Sequence, residues 1–471
     1  MGSATPQWSV LRGMAVNEGG RTGGLFLPAT GGLRGALRVP GDKSVSHRAV
    51  LLGAVNDGPV TVTGFLRSAD TLATVAAARA LGVEVHEHAD RLVVHGRGWE
   101  RLTEPDDVID VANSGTLIRL LAGLIASSPF LCVLTGDASI RSRPMARVLE
   151  PLAAMGACVI GRQADTLPPL VIRGGDLRGM THHLGVASAQ VKSCLLLAGL
   201  RATGETTVVE PAASRDHTER MIRHAGGRVE REGPPDGPGA VKVWPTNGLH
   251  MEVLSVPGDF SSAAFFLVAA LLTADSEVTI ENAGLNPSRT GLLTVLRRMG
   301  GDLHLEPSET LGPEPEGRIT ARSSTLTATD IGASEVPNLI DELPLFLLAA
   351  ANAEGTSRLR GAAELRTKES DRLGAMTAAL RALGVRVTEH PDGVDVVGDP
   401  DGWKGGAILA HADHRMAMVG AVAGAASSEG VRVDDVDCIS VSYPGFTESF
   451  STLGGAWVAE ADQQSTRGVA S

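Results

Sequence analysis

The chain has 471 residues and a net charge of −12, with 42 Lys and Arg against 54 Asp and Glu. This acidity argues against general binding to nucleic acid or membranes, and the length favours two domains over one. No apolar run approaches the ~18 residues that span a membrane, and the first 25 or so residues show no signal-peptide pattern.

Cysteine usage indicates the redox compartment. None of the four cysteines forms a C-x-x-C pair, and each lies among apolar neighbours in the sequence. We therefore expect buried free thiols in a reducing compartment, which predicts a cytoplasmic protein. No His or Cys cluster has the spacing of metal ligands, so we expect no metal and no cofactor. The cysteines are Cys132, Cys158, Cys194 and Cys438.

The first predicted helix carries an anion-binding pattern. It lies in Val39–Arg48, which reads VPGDKSVSHR, and apolar residues recur at i, i+4 and i+7 from Val45. Lys43 precedes this apolar face, while Ser44 and Arg48 lie one turn apart on another face. A helix N-terminus presents free N–H groups and the positive end of its dipole, so these residues predict an anion site.

Six similar units follow one another along the chain. Each is expected to contain a short strand, a polar loop and a helix rich in Ala and Leu, and successive strands begin about 70 to 80 residues apart. A second marker, a Gly at a helix end immediately before a strand, recurs five times, as at Gly82 and Gly156. The six strands are expected to begin near Gly58, Ser128, Gly204, Ser276, Gly355 and Gly430.

These units divide into two halves. The Val-Pro-Gly-Asp that opens the first helix returns at Val256–Asp259, so we place three units in each half, with boundaries near these two sequences. Two segments crossing between the halves would form a hinge, with a cleft where loops from both halves meet. The predicted limits are 43–255 for the first domain, 256–458 plus 25–42 for the second, and 1–24 and 459–471 for flexible ends.

Polar residues concentrate in the loops that lead from strands into helices. In the first half, Asn113–Thr116 places Gly115 for close approach of an anion, and Arg141–Arg147 adds cations. Ser188–Lys192 and Ser214–Glu219 follow, and their hydroxyl and amide groups suit a phosphate. Taken alone, each pattern is also typical of an ordinary turn, a helix cap or a solvated charged loop.

The second half repeats this arrangement. Asp341 precedes an apolar helix that contains Pro, where a carboxylate is typical of a helix cap but also suits hydroxyl binding and general-base catalysis. Lys368 and Arg372 are expected on one helical face with Glu369 beside them, a pattern also typical of an exposed helix with i,i+4 ion pairs. Arg415 stands at another predicted helix start.

Together these loops predict one strongly cationic cleft. So many like charges raise the free energy unless anions neutralise them, so we expect ligands with several negative charges, such as two phosphoryl groups and a carboxylate. The absence of a P-loop, of G-x-G-x-x-G after a strand and of zinc spacing argues against nucleotide hydrolysis, dinucleotide redox chemistry and zinc catalysis. The converging cations are Lys43, Arg48, Arg119, Arg143, Arg215, Lys368, Arg372 and Arg415.

In their order, these motifs resemble those of the 5-enolpyruvylshikimate-3-phosphate synthase family, also called 3-phosphoshikimate 1-carboxyvinyltransferases. The resemblance extends from about Leu33 to Gly454 and rests on PGDKSxSHR, NSGT, RPM, SAQ, KESDR and DHRMA. It implies an α/β (α+β) fold, a two-domain inside-out α/β barrel with six repeated βαβ-type units, three per domain. It also implies an enzyme without a cofactor, and we expect a monomer.

The resemblance further implies the reaction and the role of each residue. Family members transfer the enolpyruvyl group of phosphoenolpyruvate to the 5-hydroxyl of shikimate 3-phosphate, through a tetrahedral intermediate that expels phosphate. Asp341 would accept the hydroxyl proton, and Lys43 or Glu369 would manage the proton added to phosphoenolpyruvate. Shikimate 3-phosphate would be bound by Lys43, Ser44, Arg48, Ser188, Ala189, Gln190, Ser214, Arg215, Asp341 and Lys368. Phosphoenolpyruvate would be bound by Lys43, Gly115, Arg143, Gln190, Arg372 and Arg415.

The sequence departs from the family pattern at several positions. Ala189 replaces the second Ser of many members, Glu364 stands where many have Asn, and Val441–Pro444 lacks a Lys that contacts phosphoenolpyruvate. Two other functions stay open, a non-catalytic phosphosugar-binding protein and a UDP-N-acetylglucosamine enolpyruvyl transferase. The latter shares the fold but typically has Lys-Asn where this chain has Lys43 and Ser44. Gly115 is expected where the inhibitor glyphosate places its phosphonate.

Overall fold

The computed structural model describes residues 22–235, 237–309 and 312–460, whose strands form six four-stranded sheets. The strands are β1 Gly23–Leu27, β2 Arg34–Leu37, β3 Asp57–Thr63, β4 Glu84–Glu87, β5 Arg91–Arg97, β6 Ile109–Asp110, β7 Leu131–Thr135, β8 Cys158–Gly161, β9 Leu167–Arg173, β10 Thr181–His183, β11 Thr206–Glu210, β12 Val229–Glu232, β13 Gly239–Val243, β14 Val253–Ser255, β15 Glu277–Gly284, β16 Asp302–Pro307, β17 Glu316–Arg322, β18 Asp330–Ile331, β19 Thr356–Leu359, β20 Arg386–His390, β21 Gly393–Val397, β22 Gly405–Ile408, β23 Gly430–Val433 and β24 Ala456–Glu460.

The helices of the described residues alternate with these strands. They are α1 Lys43–Ala54, α2 Ala69–Ala80, α3 Gly115–Ile125, α4 Ala138–Ser142, α5 Ala146–Met155, α6 Arg162–Asp165, α7 Ala189–Gly199, α8 His217–His224, α9 Phe260–Leu272, α10 Gly291–Arg298, α11 Leu343–Ala351, α12 Arg372–Ala382, α13 His414–Ala425 and α14 Phe446–Thr452. None of the helices in the described ranges has the length and apolar character needed to cross a membrane.

All six sheets share one topology, in which a parallel pair is followed by two antiparallel pairs. The orders are β14-β3-β5-β4, β6-β7-β9-β8, β10-β11-β13-β12, β2-β15-β17-β16, β18-β19-β21-β20 and β22-β23-β1-β24. The second place in each sheet is held by β3, β7, β11, β15, β19 or β23. These are the six strands that the repeat predicts, so the six-unit α/β architecture is confirmed.

The glycine marker also holds, because each predicted Gly has a left-handed φ that a helix C-terminus favours. The angle is +81° at Gly82 and +112° at Gly156, each just before a strand. A sixth marker, which the sequence analysis missed, is Gly454, with φ of +96° between α14 and β24.

The chain crosses between the halves directly after β2 and directly after β14. Strand β2 leads into α1 but pairs with β15, while β14 leads into α9 but pairs with β3. The crossing segments are joined by two backbone hydrogen bonds. The amide of Asp42 donates to the carbonyl of Pro257, and the amide of Asp259 donates to the carbonyl of Pro40, each at 2.8 Å. A Cβ on Gly41 would lie 1.8 Å from the carbonyl oxygen of Gly64, so only glycine fits at this crossing.

Six helices are buried along most of their length and form the interior. They are α1, α3 and α7 in the first half and α9, α11 and α13 in the second. Helix α9 is buried at every position from Phe260 to Leu271, as is typical of a helix that is apolar on all sides. One apolar core is built from residues within 45–256, and the other from residues within 26–39 and 260–453.

The structure corrects three predictions. Residues 23–24 and 459–460, expected in flexible ends, pair with each other in β1 and β24. Residues 1–21 and 461–471 of those ends lie outside the described residues. Cys158, expected to be buried, is exposed because it lies on the edge strand β8. Lys368 is not helical, since α12 begins only at Arg372 and Lys368 has extended backbone.

Candidate active site

Most of the predicted site residues lie at or just before helix N-termini, and ion pairs such as Arg215–Asp341 and Arg143–Glu369 join the two halves there. Lys43, Ser44 and Arg48 are in α1, Gly115 begins α3, and Ser188 caps α7, which starts with Ala189 and Gln190. In the second half, Asp341 lies two residues before α11, and Arg415 is the second residue of α13. Ser214 and Arg215 precede α8, Arg143 follows α4, and Lys368 and Glu369 precede Arg372 of α12.

Short polar side chains fix where these helices begin. The carboxylate of Asp42 accepts from the amide of Val45 at 2.9 Å, and the hydroxyl of Ser114 accepts from the amide of Leu117 at 3.1 Å. Asp413 caps α13 in the same way through the amide of Arg415, at 3.0 Å. Because a cap determines the residue at which a helix begins, it also determines which side chains lie in the first turn, next to the site.

Arg48 is held by neutral groups. Its Nε donates to Thr218 Oγ1 at 2.7 Å, Nη2 to Ser193 Oγ at 2.8 Å and Nη1 to the carbonyl of Ser44 at 2.9 Å. Burial lowers the pKa of Arg48 to about 10, so the guanidinium keeps its charge at neutral pH. A buried cation with no carboxylate in direct contact is suited to an anionic ligand.

Gly115 lies against two arginines. A Cβ at this position would be 2.7 Å from Arg143 Nη1 and 3.1 Å from Arg119 Nη1. Arg119 also donates to the side-chain oxygen of Gln190, whose amide nitrogen donates to Thr116 Oγ1 at 3.0 Å. Burial, with Arg147 and Arg143 nearby, lowers the pKa of Arg119 to about 9. This end of the cleft therefore has a high local density of positive charge.

Asp341 is the point at which arginines from both halves meet. Arg215, from the first half, lies 2.5 Å from its carboxylate, and Arg372 and Arg415, from the second half, lie 3.4 and 3.9 Å away. Burial raises the pKa of Asp341, but the charges of Arg215, Arg415, Lys368 and Arg372 outweigh it and hold the pKa well below the usual range. The carboxylate is ionised at neutral pH.

Lys43 and Glu369 connect the halves at a second point. Lys43 Nζ is 3.0 Å from Asp70, while the carboxylate of Glu369 is 2.6 Å from Arg372 and 3.8 Å from Arg143. Burial lowers the pKa of Lys43, but Asp70 and Glu369 raise it above its ordinary value. Burial raises the pKa of Glu369, but nearby cations, Arg372 foremost, hold it below its ordinary value.

The carboxylates of the chain itself change the charge argument made from the sequence. Six of the eight predicted cations have a carboxylate partner within 4 Å, and only Arg48 and Arg119 are instead bound by neutral groups. Lys368, for example, lies 3.0 Å from Glu364. Most of these cations are therefore already paired with carboxylates of the chain, and a substrate anion would take the place of such a carboxylate as the partner of a cation.

One arginine at the site was not predicted from the sequence. Arg289 is 5% exposed, and its Nη2 lies 2.9 Å from Asp259 and 3.6 Å from Asp42, while its Nη1 lies 3.8 Å from Asp341. It therefore joins the two crossing segments to the candidate site. Its signal was the repeat itself, because Arg289 stands two residues before α10 as Arg215 stands two residues before α8.

The arrangement can bind anions and hold an ionised carboxylate beside a reacting hydroxyl. Within the described ranges, no group of three or more His, Cys, Asp or Glu side chains is placed to hold a metal ion. Glu342 lies next to Asp341 and accepts from Ser261, which helps to fix the loop before α11. Positioning and charge stabilisation are the forms of catalysis that these residues can supply.

Comparison with known proteins gives a consistent result. A family model described as EPSP synthase (3-phosphoshikimate 1-carboxyvinyltransferase) matches residues 28–450. A 3-phosphoshikimate 1-carboxyvinyltransferase of Pelobacter propionicus is 49% identical over 414 residues, which cover 88% of this chain and 95% of the relative. The protein of the same name from Geobacter sulfurreducens is 49% identical over 415 residues, with the same coverage of 88% and 95%.

Solved structures agree. The EPSP synthase of Acinetobacter baumannii superposes with a TM-score of 0.85 and 40% identity, over 93% of this chain and all of that chain. The enolpyruvyl transferase NikO of Streptomyces tendae superposes with a TM-score of 0.75 at 20% identity, covering 94% of this chain and 100% of that chain. At that identity the second similarity shows a shared fold only.

Proposed function

Since this chain belongs to the EPSP synthase (3-phosphoshikimate 1-carboxyvinyltransferase) family, we propose that it transfers the enolpyruvyl group of phosphoenolpyruvate to the 5-hydroxyl of shikimate 3-phosphate and releases phosphate. This step belongs to the shikimate pathway of aromatic amino acid biosynthesis. The observation that carries the proposal is Asp341, where Arg215 from one half and Arg372 and Arg415 from the other surround a single ionised carboxylate.

Shikimate 3-phosphate is assigned mainly to the first half, with Asp341 and Lys368 contributed by the second. Ser188, Ala189 through its backbone, Ser214, Arg215 and Lys368 would bind its phosphate, and the free amides at the start of α7 favour a dianion there. Its ring hydroxyls are assigned to the remaining predicted ligands. These are Lys43, Ser44, Arg48, Gln190 and Asp341.

Phosphoenolpyruvate is assigned to the cations around Gly115 and to those of the second half. The close packing of Arg143 against Gly115 leaves room for an anion only while residue 115 has no side chain. Glyphosate, as an anionic inhibitor, is proposed to use the same position. The assigned ligands are Lys43, Gly115, Arg143, Gln190, Arg372 and Arg415.

Asp341 is assigned as the general base. A carboxylate with a very low pKa is a weak base, so the proposal requires its pKa to rise on binding. Substrate anions supply this change, because the shikimate phosphate competes for Arg215 and the phosphoenolpyruvate anion competes for Arg415. As these cations turn towards the ligands, Asp341 loses the charges that held its pKa down and becomes better able to accept the 5-hydroxyl proton.

Lys43 and Glu369 are assigned to the proton at the methylene carbon of phosphoenolpyruvate. Lys43 carries a proton at neutral pH and is assigned as the donor, whose proton makes the adjacent carbon electrophilic. Glu369 is ionised and is assigned to the later removal of a methyl proton as phosphate leaves. Its lowered pKa must rise for this, as it would when Arg372 turns from Glu369 towards phosphoenolpyruvate. The 5-hydroxyl oxygen forms the new C–O bond before the bond to phosphate breaks.

The working unit is proposed to be a monomer in the cytoplasm. Site residues of both halves contact one another within a single chain, so the site needs no second copy. The four cysteines are free, as expected in a reducing compartment. The domain limits are proposed at the crossing segments, with 43–255 as one domain and 256–458 plus 25–42 as the other. Residues 23–24 and 459–460 join the second domain, because they pair in β1 and β24.

Phosphate release tests the proposal. The purified chain is mixed with phosphoenolpyruvate and shikimate 3-phosphate, and inorganic phosphate is followed continuously, with each substrate omitted in turn. We expect one phosphate per shikimate 3-phosphate consumed and none without it. Phosphate release that does not depend on shikimate 3-phosphate would refute the proposed reaction, and tight binding of both compounds without release would support the non-catalytic alternative.

A further inference from the structure

A buried charged cluster lies behind the proposed phosphate site. We propose that Lys192, Glu210 and Glu219 are positioning residues, which hold Ser214 in place and keep the region behind the shikimate phosphate electrically neutral. This inference rests on the proposed function, since it assigns the cluster a task in binding that substrate.

The cluster is fully enclosed. Lys192 Nζ lies 3.0 Å from Glu210 and 2.8 Å from Glu219, and the three side chains are 0%, 0% and 3% exposed. Burying three charges costs free energy that apolar residues of similar size would not require. A cluster of this kind next to a proposed site therefore calls for a reason beyond stability.

Lys192 and Glu210 bind the backbone carbonyl and the side-chain hydroxyl of Ser214, respectively. Lys192 Nζ donates to the Ser214 carbonyl at 3.2 Å, and the Ser214 hydroxyl donates to the carboxylate of Glu210. The backbone of the loop before α8 is thereby fixed. Rotation about one side-chain bond then lets the Ser214 hydroxyl leave Glu210 and donate to a phosphate oxygen instead. Lys192 favours this exchange because it continues to satisfy Glu210.

A second connection links the same helices to Arg48. Ser193 and Thr218 are the neighbours of Lys192 and Glu219, and their hydroxyls lie 2.6 Å apart. Both hydroxyls accept from the Arg48 guanidinium, at 2.8 and 2.7 Å. The ion pair and the hydroxyl pair are consecutive contacts between α7 and α8. A shift of α8 would therefore displace Arg48 and Ser214 together.

Charge balance explains why a lysine is needed. Two carboxylates close to a phosphate would repel it, and the chain balances them with Lys192 and with Arg231, which lies 3.3 Å from Glu210. Burial lowers the pKa of Lys192, but Glu219 and Glu210 raise it above the ordinary value, so the ammonium persists. Loss of this lysine leaves one net negative charge facing the phosphate, in a region that water does not screen.

The test compares Lys192→Met with Glu219→Gln, which change the net charge of the cluster in opposite directions. Lys192→Met is expected to raise KM for shikimate 3-phosphate about tenfold or more, and KM for phosphoenolpyruvate less than about threefold. Glu219→Gln keeps the shape and leaves excess positive charge, so KM for shikimate 3-phosphate stays at or below the wild-type value. Lys242→Met is the control, because Lys242 pairs with Glu232 on the surface of the same sheet.

A merely structural cluster gives a different pattern. Parallel rises in both KM values, or a rise in Glu219→Gln as large as in Lys192→Met, would overturn the inference. If Lys192→Met does not fold, Lys192→Met/Glu219→Gln restores neutrality. It should raise KM for shikimate 3-phosphate only about fivefold, the loss of one hydrogen bond. If the wild type releases no phosphate, the proposed function fails, and calorimetric titration of shikimate 3-phosphate into the same variants still tests the inference.

Discussion

Replacing Gly115 by Ala places a methyl group against the arginine proposed to bind phosphoenolpyruvate. The added Cβ would lie 2.7 Å from Arg143 Nη1, whereas ordinary contacts begin near 3.4 Å, so the guanidinium must retreat by about 0.7 Å. The backbone has no left-handed φ at this position, and alanine is well tolerated near a helix start. The substitution should therefore act on the site and leave the fold intact.

The size of the effect follows from this displacement. A charge-assisted hydrogen bond contributes about 1.5–3 kcal/mol, and a retreat of about 0.7 Å takes a good hydrogen bond outside its usual range while leaving part of the Coulomb attraction. A loss of about 1.4 kcal/mol corresponds to a tenfold rise in KM for phosphoenolpyruvate. The phosphonate of glyphosate is expected where the added methyl group would lie. Overpacking there costs glyphosate roughly 1–3 kcal/mol more binding free energy than phosphoenolpyruvate loses, so its inhibition constant should rise by roughly 100-fold or more.

The assay measures both constants by phosphate release in Gly115→Ala and in wild type. Gly31→Ala is the matched control, because its added Cβ meets nothing within 4 Å and the residue lies outside the site. We expect kcat to change little and inhibition by glyphosate to fall more steeply than the affinity for phosphoenolpyruvate. Equal changes in the two constants, or none in either, would refute the proposed position of Gly115.

Two further predictions concern the proton chemistry and the buried histidines. Lys43→Met should keep the fold but lower turnover by about 10²–10⁴-fold, measured by phosphate release with circular dichroism as the check on folding, and near-normal rates would contradict its role. Burial foremost lowers the pKa of His47 and of His414 to about 3, so between that pH and 6.5 the unfolded chain binds two protons that the folded chain does not. The free energy of unfolding should thus fall as the pH drops below 6.5, by about 2.7 kcal/mol per pH unit near pH 5 for the two histidines together. His47→Gln should remove about half of this slope, measured by urea unfolding at several pH values. An unchanged slope would contradict the burial argument.

Local signals explain why the repeat could be predicted. A strand that follows a turn and a Gly that ends a helix are encoded within a few neighbouring residues, so all six central strands lie where the sequence indicates. The repeated Val-Pro-Gly-Asp, which follows both β2 and β14, likewise indicates where the chain crosses between the halves. The partner strand of each was not predicted, because each strand is short and nothing within it specifies its neighbour.

The site was predicted less completely, because its pairings are long-range. The helical face predicted for Lys368 and Arg372 does not form, because α12 starts only after Asp371, which caps it by accepting from Gly374 at 2.9 Å. Lys368 pairs with Glu364 instead. Arg289 lies in no motif, and its one sequence signal is that it precedes α10 as Arg215 precedes α8. Its pairs with Asp259 and Asp341 are long-range. Asp341 and Glu369 were named from the sequence, but their pairing with Arg143 and Arg215 was not, because these partners are far apart in the chain.

Both halves are proposed to bind one phosphoenolpyruvate anion together. Arg143 belongs to the first half and Arg415 to the second, and each pairs with a carboxylate of the second half. The most direct measurement is therefore KM for phosphoenolpyruvate in Arg143→Gln and in Arg415→Gln, at saturating shikimate 3-phosphate. We predict that both variants raise it about tenfold or more, as expected for losing a charged ligand contact. A rise in one variant and an unchanged value in the other would contradict a site shared between the halves.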